Sequence, residues 1–225
     1  MTCFSIAIDG PAGSGKSTVA RQVAKELGLT YVDTGAMYRA ITWKALKQNV
    51  DLEDESSVAR MSQETDIQLS SENGVDVWVD GIKVTNDIRT PQVTSNVSLI
   101  ASQARVREIL VDKQREIAQK TGVVMDGRDI GTHVLPKANL KIFLTASIEE
   151  RAQRRHRELT QRGYSVDWDQ LKEEIRLRDE KDSVREHSPL RPAEDAIHLD
   201  TTGLSIKEVV QAILNLSRTK AIGGE

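Results

Sequence analysis

The chain has 225 residues, a formal net charge of −3, 29% charged and 38% hydrophobic residues, and a single cysteine. That length holds one substantial core with room for a small insert. The mildly acidic balance argues against a nucleic-acid partner, and the lone Cys3, read as a small buried filler, excludes an intrachain disulfide.

No apolar run approaches the ~18 residues that cross a bilayer. No basic segment precedes the short apolar stretch at the start, so no signal peptide, no membrane partner and a cytoplasmic location are expected.

The apolar run 4–8 predicts a first strand, and it leads directly into Gly10-Pro11-Ala12-Gly13-Ser14-Gly15-Lys16-Ser17, which spells G-x-x-x-x-G-K-S. Each residue type there answers a demand of a bound triphosphate. The glycines let backbone N–H groups turn inward around phosphate oxygens. Lys16 is placed to reach the β- and γ-phosphates of ATP, and the Ser17 hydroxyl to ligate Mg²⁺. From Thr18 onward, apolar residues at 19, 20, 23, 24 and 27 recur at helical spacing, so the loop opens a helix whose positive end adds to the phosphate site. Strand before and helix after distinguish this loop from a chance glycine-rich turn. The motif alone does not choose between a kinase, a GTPase switch and a motor ATPase.

Residues 30–33 read as a second strand and 37–46 as a second helix. Residues 66–84 then break the alternation. Apolar and polar residues alternate there across two hairpin dipeptides, Asn73-Gly74 and Asp80-Gly81, which predicts a three-stranded antiparallel insert. The runs 122–126, 140–144 and 196–200 predict buried parallel strands. Ser205 and Glu208 form a capping box before a last helix carrying Ile206, Val209, Val210, Ile213 and Leu214 on one face. Strands alternating with helices make this an α/β protein with the P-loop NTPase fold, a parallel sheet flanked by helices. The expected organisation is a single domain, 1–225, with a core over 1–62, 103–150 and 190–225, an insert over 63–102 and a helical lid over 151–189.

The lid is read from arginine. Arg151, Arg154, Arg155, Arg157, Arg162, Arg176, Arg178 and Arg185 crowd two helices opened by the capping pairs Ser147/Glu150 and Asp167/Gln170. Arg178, Asp182 and Arg185 fall at i, i+4 and i+7, on one helical face. Arginine grips phosphate oxygens bidentately and stays charged, and a closing lid keeps water from the transferred group. Asp126-Gly127-Arg128-Asp129 follows an apolar strand, so Arg128 and Asp129 project into the crevice beyond the carboxyl ends of a parallel sheet. His133, His156, His187 and His198 have no metal spacing, and Trp43, Trp78 and Trp168 are read as core or insert packing.

Taken together, Asp9 to Thr18, Asp33-Thr34-Gly35-Ala36-Met37-Tyr38-Arg39, Asp126 to Thr132, Ile142 to Ala146 with Glu150-Arg151-Ala152, and Arg178-Asp179 with Asp182 closely resemble bacterial cytidylate kinases, nearly end to end. The resemblance implies ATP + CMP (or dCMP) ⇌ ADP + CDP (or dCDP), by direct in-line transfer in a monomer. It implies that Thr34, Tyr38 and Arg39 line the monophosphate site, with Arg39 and Arg128 on the acceptor phosphate. Ser98, Arg107 and Asp129 match the positions that read cytosine, Arg178 and Asp182 those that touch the sugar, and Arg185 one that touches phosphate. A carboxylate suits the cytosine 4-amino group and would repel the carbonyl of uracil. Lys16, Mg²⁺, Arg128 and lid arginines such as Arg154 would share the charge of the moving phosphoryl group. A GTPase switch would need a guanine-reading Asn-Lys-x-Asp tetrad, which the chain lacks. A shikimate-type kinase would lack the 66–84 insert and the Ser98/Arg107/Asp129 set.

Overall fold

A computed structural model describes residues 3–70 and 76–222. Strand β1 (Ser5–Asp9) passes through the phosphate loop into helix α1 (Lys16–Leu27), and β2 (Thr30–Asp33) runs straight into α2 (Thr34–Lys47). Helix α2 begins three residues earlier than its apolar spacing predicts, because Asp33 caps it, accepting from Ala36 N–H at 2.8 Å.

Helix α3 (Glu55–Glu64) follows, capped by Asp54. Strands β3 (Ile67–Ser70), β4 (Asp76–Val79) and β5 (Ile82–Lys83) then form the expected antiparallel sheet in that order. Asp80 and Gly81 turn the β4–β5 hairpin with φ of 49° and 78°, the paired left-handed geometry that a tight two-residue turn requires. The Asn73-Gly74 turn lies outside the described residues.

After a 3₁₀ turn at Asp87–Arg89 come α4 (Pro91–Ser102) and α5 (Ala104–Lys120). Neither α3, α4 nor α5 is singled out by periodicity, although Thr90-Pro91 is an N-cap followed by proline at the first helical position. Strand β6 (Val123–Gly127), a π-helical turn at Ile130–Val134 and β7 (Leu140–Thr145) lead to α6 (Ile148–Gln161) and α7 (Trp168–Val184), then β8 (Ile197–Asp200) and α8 (Ile206–Ile222).

The five parallel strands stand in the order β2-β6-β1-β7-β8. Both faces are buried, as alternation along β1 requires. Ala7 joins Val32, Val123 and Met125 against α2, α3 and α5, while Ile6 and Ile8 join Val124, Ile142 and Leu144 against α1 and α8. Val77 and Val79 of the small sheet, with Val84 just past β5, pack onto Ala36 and Ala40 of α2, beside Trp43.

One capping expectation holds, and several other local expectations are corrected. Ser205 and Glu208 make a reciprocal capping box, Ser205 N–H donating to the Glu208 carboxylate at 2.9 Å and Glu208 N–H to Ser205 Oγ at 3.3 Å. At Ser147/Glu150 and Asp167/Gln170 only the N-cap half forms, because the side chains of Glu150 and Gln170 turn to Arg154 and Glu174 instead. Helix α7 stops at Val184, so Arg185 is its C-cap (ψ 142°) rather than a further helical position. Trp168 is exposed, with its ring edge-on to His156, and Cys3 is half-buried. Among the described residues no helix is long and apolar enough to cross a membrane.

Candidate active site

Parallel strands align their carboxyl ends at one edge of the sheet, and the residues that follow those ends converge there. The phosphate loop follows β1, Thr34 follows β2, and Arg128 and Asp129 follow β6. Gly10 makes the first turn of the loop at φ 149°, where a Cβ would lie 2.0 Å from the Leu144 carbonyl oxygen, so only glycine fits against β7.

A cleft of ≈ 1660 Å³ opens along this edge, and Lys16 and Arg128 both line it. Behind it lies a pocket of ≈ 60 Å³ that shares Ser98, Arg128 and Arg178 with the cleft and adds Tyr38, Arg107 and Asp129. Of the loop residues, 12–18 line the cleft, whereas Gly10 and Pro11 stand behind it.

On the loop side, Lys16 Nζ donates to the Pro11 carbonyl at 2.6 Å and to Ser14 Oγ at 3.3 Å. Burial, and then the Arg128 charge, push the Lys16 ammonium well below its ordinary pKa. Ser17 Oγ donates to Asp126 Oδ2 at 2.8 Å, and Tyr31 Oη to Asp126 Oδ1 at 2.7 Å. Burial and the nearby Asp33 carboxylate raise Asp126 to about 6, with Lys16 opposing them. Asp126 is the residue that motif reading passed over. Its signal was an acidic side chain at the carboxyl end of a buried strand adjacent to β1.

Arg154 stands beside the loop with all three guanidinium nitrogens donating, to Ser14 O at 3.2 Å, Thr201 Oγ1 at 3.0 Å, Thr201 O at 2.9 Å and Glu150 Oε1 at 3.0 Å. Arg155, its neighbour on the cleft, pairs with Glu158 at 2.7 Å.

On the other side, Thr34 Oγ1 donates to the Asp126 carbonyl at 2.7 Å, tying α2 to β6. Arg39 Nη1 donates to Thr94 Oγ1 at 2.8 Å. Burial lowers the Arg39 pKa, and Arg178, Arg155 and Arg89 lower it further by charge repulsion. Arg89, which sequence reading left without a role, lines the cleft and pairs with Asp33 at 3.3 Å.

Arg128 Nε donates to Asp182 Oδ2 at 2.9 Å. Burial works against both ions. The pair overcomes it on each side, raising Arg128 and lowering Asp182. Deepest in the pocket, Arg107 Nη2 donates to Asp129 Oδ2, both side chains being buried, while the Arg107 guanidinium lies 5.4 Å from the Tyr38 ring centre. Arg185 Nη2 stands 3.7 Å from Asp129, beyond hydrogen-bonding distance, and its Nε donates to Ser188 O at 2.6 Å. The sequence-predicted residues of α2, α4, α5, α7 and the β6 turn therefore line two adjoining cavities, with Ser98, Arg128 and Arg178 common to both.

Known proteins align along this same frame. The cytidylate kinase family profile matches residues 6–219. The chain is similar to a cytidylate kinase of Exiguobacterium sp., 57% identical over 214 residues, covering 95% of this chain and 96% of that one. It is also similar to the cytidylate kinase of Bacillus subtilis, 54% identical over 219 residues, covering 97% and 98%. A solved, uncharacterized protein from Eubacterium ventriosum is similar in fold, with a TM-score of 0.52 at 13% identity over 95% of this chain and 97% of that one. With the family profile spanning all but the two ends and relatives more than half identical along nearly their full length, the chain belongs to the cytidylate kinase family.

Proposed function

We propose that the chain transfers the γ-phosphoryl group of ATP to CMP or dCMP by direct in-line displacement, giving ADP and CDP or dCDP. Family membership makes it an ATP-dependent nucleoside monophosphate kinase. The assignment of tasks to residues is our reading of the cavity.

One observation carries it: Lys16, Arg39, Arg89, Arg128, Arg154 and Arg178 all line one cleft. Lys16 is depressed by burial and then by Arg128, Arg39 by burial and then by three arginines, and Arg178 falls to about 10 through burial and then Arg128. Cations that repel one another in the free protein are matched to a polyanion. Around the small pocket, Tyr38 Oη, Arg107 Nε, Arg178 Nε and Arg185 Nη2 are buried without hydrogen-bond partners. Buried donors left unpaired are costly, and a polar ligand in the pocket would relieve that cost.

In this reading the backbone N–H groups of residues 13–18 and Lys16 hold the ATP phosphates. Thr34, Tyr38, Arg39 and Arg128 hold the acceptor phosphate, with Arg185 beside it. Ser98, Arg107 and Asp129 read the cytosine ring, the Asp129 carboxylate accepting from its amino group. Arg178 and Asp182 take the sugar. An acceptor phosphate oxygen is anionic at neutral pH and needs no general base, so catalysis is positioning and neutralisation of charge. Lys16, Arg128 and Arg154 supply the cations, and α6 with α7 act as the lid that excludes water.

The Ser17 hydroxyl and the Asp126 carboxylate are hard oxygen donors 2.8 Å apart, and a cation would offset the burial that raises Asp126, so these residues fit Mg²⁺. Bound there, Mg²⁺ would supply positive charge to the ATP phosphates. The same reading takes the chain as a cytoplasmic monomer.

A coupled assay of ADP release with ATP against CMP, dCMP, UMP, AMP and shikimate tests this. Turnover of CMP and dCMP is expected, with kcat/KM for UMP lower by about 10–100-fold, the discrimination of one good base-edge contact. Equal use of AMP or shikimate would refute the assignment.

A further inference from the structure

The backbone of Ala12, in the phosphate loop, is held on both sides of its Cα by side chains from α6 and α7. Its N–H donates to Asp179 Oδ1 at 3.2 Å, and its carbonyl accepts from Arg151 Nη1 at 3.0 Å. Arg151 Nη1 also donates to Asp179 Oδ2, which closes a ring of backbone, carboxylate and guanidinium. Arg151 Nε is anchored in turn on the Ala146 carbonyl at 3.1 Å, just past the end of β7.

Arg151 is 7% exposed and the Asp179 side chain 19%, so these bonds are made largely out of water, where they are stronger. Gly13 packs onto Arg151 so closely that a Cβ there would come within 3.1 Å of it. A lone carboxylate beside a phosphate loop would repel a triphosphate; Arg151 cancels that charge in place. The preceding residue of α7, Arg178, lines both the cleft and the small pocket. Two successive residues of one helix thus fasten the loop and furnish the acceptor side.

We propose that Asp179, charge-paired with Arg151, is a positioning residue. It fastens α7 to the backbone of Ala12 and holds the phosphate loop in its triphosphate-binding shape. The proposal rests on the kinase reading of this cavity.

Asp179→Ala, Arg151→Ala and the double variant are assayed with ATP and CMP varied independently, beside thermal unfolding and the wild-type chain. For Asp179→Ala the KM for ATP is expected to rise about 10-fold or more, the size of one charge-assisted hydrogen bond, with the KM for CMP within about twofold. The double variant is expected to be no worse than the poorer single one, because the ring is broken only once. Asp179→Asn, which keeps an acceptor for the Ala12 N–H, is expected to recover part of the ATP affinity. Should Asp179→Ala fail to fold, a KM for ATP raised about threefold or more in Asp179→Asn, with CMP unaffected, supports the proposal, and an unchanged value overturns it.

An ATP KM at or below the wild-type value, equal losses for ATP and CMP, or additive losses in the double variant also overturn it. An active wild type with an indifferent Asp179→Ala defeats this proposal alone. A wild type that leaves CMP unphosphorylated defeats the kinase reading and the proposal with it.

Discussion

The loop half of the cavity is one continuous stretch, residues 12–18, and the side chains around it are already occupied: Lys16 rests on the Pro11 carbonyl, and Arg154 on Ser14 and Thr201. The half around Asp129 draws on α2, α4, α5, the turn after β6 and α7, and leaves polar atoms of Tyr38, Arg107, Arg178 and Arg185 unpartnered. The contrast separates two kinds of recognition. A glycine-rich loop presents backbone N–H groups, which suit any triphosphate and carry little selectivity. A pocket of side chains presents donors and acceptors in a fixed pattern, and there a choice between bases can be made. Asp9 joins the halves. It ends β1, and its carboxylate accepts from the N–H groups of Ile130 and Gly131 at 2.8 and 2.7 Å, bracing the far turn from the loop's own strand.

The sharpest way to break the comparison is Arg128→Ala, since Arg128 lines both halves. It is expected to lower kcat by about 10²–10³-fold, the cost of one lost charge-stabilising donor, measured with ATP and CMP saturating. Near-normal turnover would mean that the halves do not share a phosphoryl group. Asp129→Asn tests the claim that selectivity lives on one side. Discrimination of CMP over UMP should fall about 10-fold or more, while the KM for ATP moves little.

Asp9 gives a pH test of the joint. Burial raises its pKa from 3.8 to about 6, against the two backbone hydrogen bonds that lower it. Between those values the folded chain keeps a proton that the unfolded chain has lost, so stability falls as pH rises from about 4 to 6 and then levels. The fall from this one group is on the order of 2–3 kcal/mol. Asp9→Asn should flatten that part of the curve in denaturant titrations at several pH values, even though one backbone N–H loses its acceptor. Ser98→Ala should show the smallest effect. Losing one neutral hydroxyl contact raises the KM for CMP about 2–10-fold and leaves that for ATP alone.

How legible these halves were in the sequence follows from how each is built. The loop half could be read residue by residue, because its groups are neighbours in the chain and their order is itself the geometry. The small sheet was legible too, since alternating apolar residues and Asp80-Gly81 encode it locally. Of the far pocket, spacing gave only the α7 face with Arg178, Asp182 and Arg185. Arg107 and Asp129 stand 22 residues apart on elements with no shared pattern, and Arg107 lies on α5, which periodicity left unnamed. Asp129 was placed at the crevice by its position after an apolar strand, and only resemblance to a family located Arg107 and joined the two. The contacts of Asp126, Arg89, Arg151 and Asp179 were missed for a related reason: each acts on a partner dozens of residues away, and an acidic or basic residue on a strand end or helix carries no mark of its partner.

The sequence by itself determined the α/β layering, the phosphate loop after the first strand and the arginine-rich helices, because periodicity, caps and glycine placement act over a few neighbouring residues. The tertiary structure alone decided which charges meet. Sheet order brings β6 beside β1, so Ser17 finds Asp126 and Asp9 finds the turn at Ile130. It also settled that Arg154 rests on Thr201 while Asp179 grips Ala12. Coulombic and hydrogen-bonding partners are selected by distance in space, and the order of strands in a sheet sets that distance independently of their order in the chain.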